Sequence, residues 1–301
     1  MNIYNTHESK IDKDREIITS LIQKNKWNDI LNLLKTTHID DINMMLINEN
    51  NLFHLACIKG ETEFIKELIM LKKSHKIDLN LNLFNEFGLS GAQLYYKYGG
   101  NDPFLLSDKN VCYVNDNNFV LATYLIDNID LLKIHVNKMI ELNCIENIAI
   151  NDQIFVSLLN KINYYTNIDE NKTNKYLKIV EKICDEIKDH QIVFIAIKLN
   201  CIDVIKMLMI QEYNFEVYSN LSMTALGACM LYDRVEICVL ILEYTKLKKS
   251  DNDLFNLINT SNMQYELRPF FIANTNKNWS MIKILIQYMN DYVKNNHDMI
   301  P

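Results

Sequence analysis

The stretch that decides the fold is residues 52–69, LFHLACIKGETEFIKELI, in which two short apolar runs flank a glycine. Gly60 follows the first run, and glycine readily adopts the left-handed conformation that ends an α-helix. Glu63 opens the second run, where an acidic side chain faces the positive end of the helix dipole. These residues predict two short α-helices joined by a tight turn.

The second of these runs recurs along the chain. A polar residue followed by two groups of apolar residues starts at Asp29, Glu63, Asp102, Asp130, Lys175, Asp203, Glu236 and Ser280. Neighbouring starts are on average about 36 residues apart, which is the size of a helix–turn–helix repeat unit. The spacing is irregular, so we interpret the copies as divergent repeats.

Two kinds of residue recur at fixed places in these copies. A small residue lies seven positions before the second run at Ala56, Ala196, Cys229 and Ala273. Because a small side chain lets two helices approach closely, we interpret these four residues as packing residues. Gly60, Asn200 and Asp233 separate the two runs of their copies and are predicted to end the first helix.

The repeats predict an all-α fold in which stacked helix pairs form one elongated array. We expect about eight helix–turn–helix units over residues 1–290, beginning with an N-terminal cap at about 10–49. The segment at about 160–173 is interpreted as an insertion loop, and residues 291–301 as a polar C-terminal tail.

The composition excludes several classes of protein. The 301 residues include only 6 glycines and 3 prolines, whereas β-rich folds and nucleotide-binding α/β folds need many tight turns and glycine-rich loops. The net charge of -7 argues against nucleic-acid binding, which depends on neutralising phosphates. The excess of Asn and Ile has a second explanation, an AT-rich genome.

Three features predict a cytoplasmic protein that is neither secreted nor inserted in a membrane. No apolar run is long enough to span a bilayer, and residues 1–10 lack the apolar core of a signal peptide. The seven cysteines are odd in number and contain no C-x-x-C pair, so we interpret them as buried thiols in a reducing compartment.

Catalytic motifs are absent from the sequence. It contains no G-x-S-x-G, H-E-x-x-H, P-loop or G-x-G-x-x-G pattern, and its seven histidines fall in different segments. We therefore expect a protein that is not an enzyme, with no catalytic residues, no metal and no cofactor.

The segment quoted at the start resembles an ankyrin repeat, whose consensus opens with T-P-L-H-x-A. Asn51 and Leu52 stand where that family has Thr-Pro, and His54 stands at its His. In the family this His hydrogen-bonds backbone between repeats, so the resemblance implies a structural role for His54. Thr224 and Pro269 each retain one residue of the same opening, although the Thr-Pro-Leu-His core is intact in no copy.

The resemblance implies an ankyrin-type α-solenoid with short hairpin-like loops between repeats. Such a protein is a non-enzymatic scaffold that binds another protein through its concave face and its loop tips. Divergent repeats in an Asn- and Ile-rich chain are also similar to the ankyrin proteins of giant DNA viruses. That likeness implies a viral protein, acting as a monomer on a host protein in the host cytoplasm, without nucleic-acid or membrane partners.

Aromatic and polar residues near the predicted loops are the candidates for partner binding. They are Phe84, Asn85, Glu86, Phe87, Tyr95, Tyr98, Tyr218 and Asn220. The residues at 84–87 and at 218–220 occupy corresponding loops between repeats, whereas Tyr95 and Tyr98 belong to an aromatic patch near a turn. Each group has a structural alternative, either a solvated loop or the filling of a thin core.

Three alternatives remain open from the sequence. The protein could instead be a substrate adaptor of a host ubiquitin ligase. It could also be an enzymatic or nucleic-acid-binding solenoid with a site in its irregular middle. The structural rivals are tetratricopeptide and HEAT arrays, which also pair helices at similar periods.

Overall fold

The fold is all-α. A computed structural model describes residues 3–37, 39, 41–44, 46–108, 118–143, 152–187, 191–219, 222–248, 251–259 and 268–295. The described part of the chain is 70% helical and contains no strands. The all-α class predicted from the composition and the repeats is therefore confirmed.

The helices are numbered in chain order. They are α1 (Ile3–Gln23), α2 (Trp27–Thr36), α3 (Leu52–Lys59), α4 (Thr62–Lys73), α5 (Gly91–Lys97), α6 (Phe104–Ser107), α7 (Asn118–Leu125), α8 (Ile129–Glu141), α9 (Asp152–Tyr165), α10 (Glu170–Ile187), α11 (Gln191–Lys198), α12 (Ile202–Ile210), α13 (Ala225–Tyr232), α14 (Val235–Lys248), α15 (Asp251–Asn259), α16 (Pro269–Thr275) and α17 (Trp279–Asn295). The chain divides into two compact units, Met1–Ile148 and Ala149–Pro301.

The first unit consists of helix pairs. Helices α1 to α8 follow one another in four pairs along the chain, and the first members α3, α5 and α7 pack against one another in sequence. Among the second members, α2 contacts α4 and α6 contacts α8. Side chains link neighbouring pairs: Lys35 Nζ lies 3.0 Å from Glu67 Oε2, and Lys66 Nζ lies 2.9 Å from Asp102 Oδ2. The hydrogen bond from Lys66 holds the pKa of Asp102 below its usual value.

The second unit repeats this arrangement. The first members α9, α11, α13 and α16 pack against one another in sequence. The second members α10, α12, α14 and α17 do the same in their own layer. Helix α15 lies outside the pairs and contacts α14, α16 and α17. Arg234 donates from Nη2 to the carbonyl of Lys198 at 2.8 Å, which satisfies the exposed end of α11.

The turns within the pairs have the backbone that the sequence predicts. Gly60, Asn200 and Asp233 follow α3, α11 and α13, with φ of 70°, 56° and 54°. This left-handed conformation lets the chain reverse and start the next helix without extending the first. Asp233 also accepts a hydrogen bond through Oδ1 from Asn278 Nδ2 at 2.6 Å, which ties two successive turns together.

The small residues lie in the most tightly packed layer. Ala56, Ala196, Cys229 and Ala273 are all fully buried. Each belongs to a first helix that packs against its neighbours in the same layer. Apolar residues of the second helices, such as Ile205 and Leu208 of α12, complete the core. Each buried aliphatic side chain contributes about 1.5–3 kcal/mol of transfer free energy.

The cysteines in the described residues behave as apolar core residues. Four of these five free thiols are buried, and burial raises the pKa of Cys201 and Cys238 to about 12. Burial also raises the pKa of Cys57 and Cys229 well above the usual range. These thiols therefore stay protonated and are poor nucleophiles.

The structure differs from the expected loop at 160–173. Residues 160–165 complete α9 and residues 170–173 begin α10, so only a short turn separates two long helices. The apolar residues Leu158, Leu159 and Ile162 are fully buried and continue the helical stripe through this segment. The added residues lengthen the two helices instead of forming a loop. The second helix expected from Asp102 is the four-residue α6.

The C-terminal tail expected at 291–301 is corrected in part, because residues 291–295 are the last residues of α17. Residues 296–301 lie outside the described residues. Among the helices that the structure describes, none has the length and apolar character needed to cross a membrane.

Candidate partner-binding surface

Short hairpins precede the first helices of three pairs. Before α5, Phe84 pairs with Ser90 in an antiparallel bridge, and the N–H of Asn85 donates to the carbonyl of Leu89 at 3.0 Å. Before α13, Tyr218 pairs with Thr224 in the same way. The two hairpins therefore have the same backbone pairing, although Phe84 and Tyr218 are 134 positions apart in the sequence.

A left-handed residue closes the tip of each hairpin. Gly88 has φ of 67°, and Ser222, at the corresponding place, has φ of 60°. In the third hairpin, before α3, Asn48 and Glu49 have φ of 48° and 53°, and the N–H of Leu46 donates to the carbonyl of Asn50 at 2.9 Å. The three loops thus reverse the chain by similar means.

Each hairpin ends in the residue that caps the following helix. The side chains of Asn51, Ser90 and Thr224 accept a hydrogen bond from the backbone of α3, α5 and α13. Such caps stabilise a helix by about 1 kcal/mol. They also fix the direction in which each hairpin leaves its helix, so the loop tips are held by the helical layers.

His54 joins the cap of α3 to the next hairpin. Its Nδ1 accepts from the N–H of Asn51 at 3.3 Å, so the proton lies on Nε2, which donates to the carbonyl of Leu83 at 2.9 Å. Burial lowers the pKa of His54, an effect partly offset by the hydrogen bond to Leu83. The neutral ring therefore links one helix pair to the loop of the next.

Asn85 is the central hydrogen-bonding residue of its hairpin. Its Oδ1 accepts from the N–H groups of Phe87 and Leu89, both at 3.0 Å. Its Nδ2 donates to Asn50 Oδ1 at 3.1 Å, which joins this hairpin to the preceding one. Asn85 is buried, so its role is to shape the surface while its neighbours Glu86 and Phe87 are exposed.

Three of the predicted aromatic residues face solvent at the hairpins. Phe87 is 70% exposed, Phe84 is 39% exposed and Tyr218 is 36% exposed. Phe84 and Phe87 belong to one hairpin of the first unit, whereas Tyr218 belongs to the second unit. Asn220, the remaining candidate in that later loop, lies outside the described residues.

The structure corrects the place of Tyr95 in the predicted surface. Its ring is 1% exposed and packs edge-on against Tyr96 and Phe104, with centroids 5.1 Å and 5.8 Å away. Its hydroxyl lies 2.8 Å from Thr62 Oγ1 in the preceding pair. Tyr95 is therefore a core residue, as the alternative interpretation of the aromatic patch held.

Tyr98 is exposed but lies at the other end of α5. It is 58% exposed and follows the last residue of the helix, whereas the hairpin precedes the first. A seven-residue helix is about 10 Å long, so Tyr98 does not share a patch with Phe87.

Glu49 was missed by the sequence analysis. It is exposed at the tip of the hairpin that Asn50 joins to Asn85. Nothing in its local sequence marks it as a surface residue of interest. An alignment of the capping residues Asn51 and Ser90 would have placed Glu49 opposite Gly88, at the tip of its own hairpin.

A cleft of about 450 Å³ lies at the turns of the second unit. Its lining includes Asn163, Thr166, Asp203 and Lys206. Thr166 Oγ1 donates to Asp203 Oδ2 at 2.6 Å, and Asn163 Nδ2 donates to the carbonyl of Leu199 at 2.9 Å. These polar groups tie neighbouring pairs together, so we assign the cleft a structural role.

Comparison with known proteins adds no relative: no family model matches the chain, and no curated protein matches it significantly. Within the described part of the chain, no three His, Cys, Asp or Glu side chains are grouped so that they could hold a metal ion.

Proposed function

We propose that this chain is an ankyrin-type repeat protein that acts as a non-enzymatic scaffold and binds another protein. In this proposal the hairpin tips of each unit supply the contact surface, because residues 52–57, 91–96 and 225–230 of the first helices behind them are buried. The observation that carries it is the recurring hairpin, which is capped onto a first helix and presents exposed aromatic side chains at Phe84, Phe87 and Tyr218.

Two further features support an ankyrin-type array. In the second unit, successive pairs pack first helix to first helix and second helix to second helix, and in the first unit α3, α5 and α7 pack in the same way. The histidine of the ankyrin-like opening, His54, bonds backbone in the next hairpin, as the family resemblance implies. Stacked repeats bury the apolar stripes that a single pair would leave exposed, and they present a continuous row of loops.

The physical case for binding lies in the hairpin of Phe84 and Phe87. Exposed aromatic rings contribute large contact areas to interfaces, and rings held on an ordered loop lose little conformational entropy on binding. The loop is ordered by the hydrogen bonds of Asn85 and by the cap at Ser90. Such a surface suits a protein partner better than a small molecule, which binds in concave pockets.

The test is affinity purification from the native cell with quantitative mass spectrometry. We expect the double variant Phe84→Ala and Phe87→Ala to lose a partner that the wild-type chain recovers, because the interface would lose both rings. Tyr98→Ala is the matched control, since it removes an exposed ring at the other end of α5. Both variants should melt within a few degrees of the wild type.

Full recovery of every partner by the hairpin variant would contradict the proposed surface. Recovery of a ubiquitin-ligase subunit would instead favour the adaptor alternative. Copurification of RNA that is lost at high salt would favour the nucleic-acid-binding alternative.

A further inference from the structure

The two hairpins of the first unit form a single surface. Asn85 Nδ2 donates to Asn50 Oδ1 at 3.1 Å, which joins their bases. The segments that lead to them are joined as well, because Asn43 Nδ2 donates to the carbonyl of Asp78 at 2.7 Å and Asn43 Oδ1 accepts from the N–H of Asn80 at 2.6 Å. We call the exposed residues of 41–50 and 76–90 the hairpin surface.

The apolar part of the hairpin surface is the ring pair Phe84 and Phe87. The side chain of Phe87 is 70% exposed, although the backbone N–H of Phe87 is held by a hydrogen bond to Asn85 Oδ1. An ordered backbone therefore keeps a large ring in water, where burying it would be favourable. A partner that covers both rings gains this burial without having to order the loop.

The charged part of the hairpin surface is acidic. Its exposed charged residues are Asp41, Glu49, Lys76, Asp78 and Glu86. The four carboxylates take part in none of the ion pairs between described residues. Elsewhere in the first unit, carboxylates such as Glu67, Asp102 and Asp108 are paired with lysines. Two cations reduce this charge without cancelling it, because Lys76 is exposed on the surface and Lys72 Nζ donates to the carbonyl of Leu79. The hairpin surface thus combines exposed rings with a net negative charge.

This combination favours one class of occupant. Arginine carries a planar cation that stacks on an aromatic face and also binds a carboxylate through two N–H groups. Glu86 and Phe87 are adjacent and both exposed, so the loop offers a carboxylate and a ring to the arginines of one segment. Lysine supplies the charge but lacks the planar fork, and an acidic segment would be repelled.

We propose that the hairpin surface binds an arginine-containing basic segment of the partner protein. This inference rests on the proposed function and specifies the chemistry of the partner. Phe84 and Phe87 supply the apolar contact and the ring faces for guanidinium groups. Glu49, Glu86 and the two aspartates supply the attraction that selects a basic segment.

The test uses the full chain and three labelled decapeptides, in which glycine alternates with arginine, lysine or glutamate. Binding is measured by fluorescence anisotropy. We expect the arginine peptide to bind more tightly than the lysine peptide and the glutamate peptide not to bind. Because the charges are exposed, raising the ionic strength from about 0.05 M to about 0.3 M should weaken binding.

Two variants of the surface have matched controls. Phe87→Ala should weaken binding of the arginine peptide about fivefold, whereas Tyr98→Ala leaves it unchanged. Glu86→Lys should weaken it about tenfold, whereas Glu186→Lys, which makes the same change of net charge on α10 in the second unit, has less than a twofold effect. Circular dichroism verifies that each variant is folded.

Two results would overturn the inference. One is the failure of the wild-type chain to bind either basic peptide, and the other is an equal loss of binding in Glu86→Lys and Glu186→Lys, which would indicate attraction by net charge alone. If the wild type binds no basic peptide but the hairpin variant still loses its cellular partner, the partner chemistry is wrong and the proposed function stands. If the wild type binds no basic peptide and the hairpin variant keeps every cellular partner, the partner chemistry and the proposed function are both wrong.

Discussion

At the scale of single residues, two different side chains perform the same capping task. In α3 the backbone N–H of Asn51 donates to His54 Nδ1, and in α5 the N–H of Ser90 donates to Gln93 Oε1 at 2.8 Å. Both residues lie three positions after the cap, and both are fully buried. Glutamine therefore already fills the equivalent position of α5, and it carries no charge to titrate.

We predict that His54→Gln reduces the dependence of stability on pH. Burial lowers the pKa of His54 in the folded chain, whereas in the unfolded chain the value is near 6.5. As the pH falls below that value, the unfolded chain binds the proton first, so the free energy of unfolding decreases. Urea unfolding between about pH 7.5 and pH 5 should show a smaller decrease for His54→Gln than for the wild type.

At neutral pH the same variant should lie within about 1 kcal/mol of the wild type, because glutamine keeps the bond to Asn51. His54→Ala should lose about 2 kcal/mol, since it leaves the buried N–H of Asn51 and the part-buried carbonyl of Leu83 without their partner. Equal pH dependence in the wild type and His54→Gln would show that the His54 ring does not control this part of the stability.

Tyr95 shows why some residues could not be assigned from the sequence. It lies five positions after its cap, where α3 has Ala56, so a large ring occupies the place of a small residue. The room comes from Gly100, where a Cβ atom would lie 2.2 Å from the Tyr95 ring. Aromatic residues before two glycines looked like a loop-side patch, and only the packing shows that the glycine accommodates a buried ring.

At the scale of elements, the turn between the two helices of a pair depends on one left-handed residue. Gly60 adopts φ of 70° without strain, but Asn200 and Asp233 carry a Cβ atom at φ of 56° and 54°. Non-glycine residues tolerate this conformation at a cost of about 1 kcal/mol. Asp233 has a compensating contact, because it accepts the hydrogen bond from Asn278.

We predict that Asn200→Gly stabilises the chain by about 0.5–1 kcal/mol. Removing the Cβ atom removes the steric strain of a left-handed backbone conformation. Asp233→Gly should gain less or nothing, since it removes the same strain together with the bond to Asn278. Urea titration of the two variants measures the difference. A loss of stability in Asn200→Gly would show that entropy gained by the unfolded chain outweighs the relief of strain.

Much of the element order could be predicted, because the two helical runs and the turn residue recur at similar offsets. All eight predicted starts fall in a second helix except Asp102, which lies just before α6. The sequence could not distinguish the ends of the long helices α9 and α10 from an inserted loop, because residues 160–173 carry many polar side chains. Helix α15 belongs to no pair, and its sequence lacks the recurring pattern that identified the others.

The hairpins were predicted only through the family resemblance. A bridge of one residue pair, such as that between Phe84 and Ser90, leaves no alternation of apolar and polar residues in the sequence. Glu49 and Glu86 become part of one surface through the bond between Asn50 and Asn85, which joins residues 35 positions apart. A contact between residues so far apart cannot be predicted from the local sequence around either of them.

At the scale of the whole molecule, the stability of each short helix depends on its neighbours. Helices of eight or nine residues, such as α11 and α12, are not stable alone in water. Their stability comes from packing against the preceding and following pairs, which is also how repeat proteins are stabilised. The layer contacts within each compact unit supply this packing.

We therefore predict that residues 149–301, expressed alone, fold into a helical unit, because the contacts that stabilise α9 to α17 lie within that span. Circular dichroism should show a helical spectrum and a cooperative urea transition. Ala196→Leu in the same fragment is the test of native packing: Ala196 is fully buried in the first-helix layer, so the added side chain should cost about 1–3 kcal/mol. A fragment without a cooperative transition, or one in which Ala196→Leu is neutral, would show that this unit does not form its native core by itself.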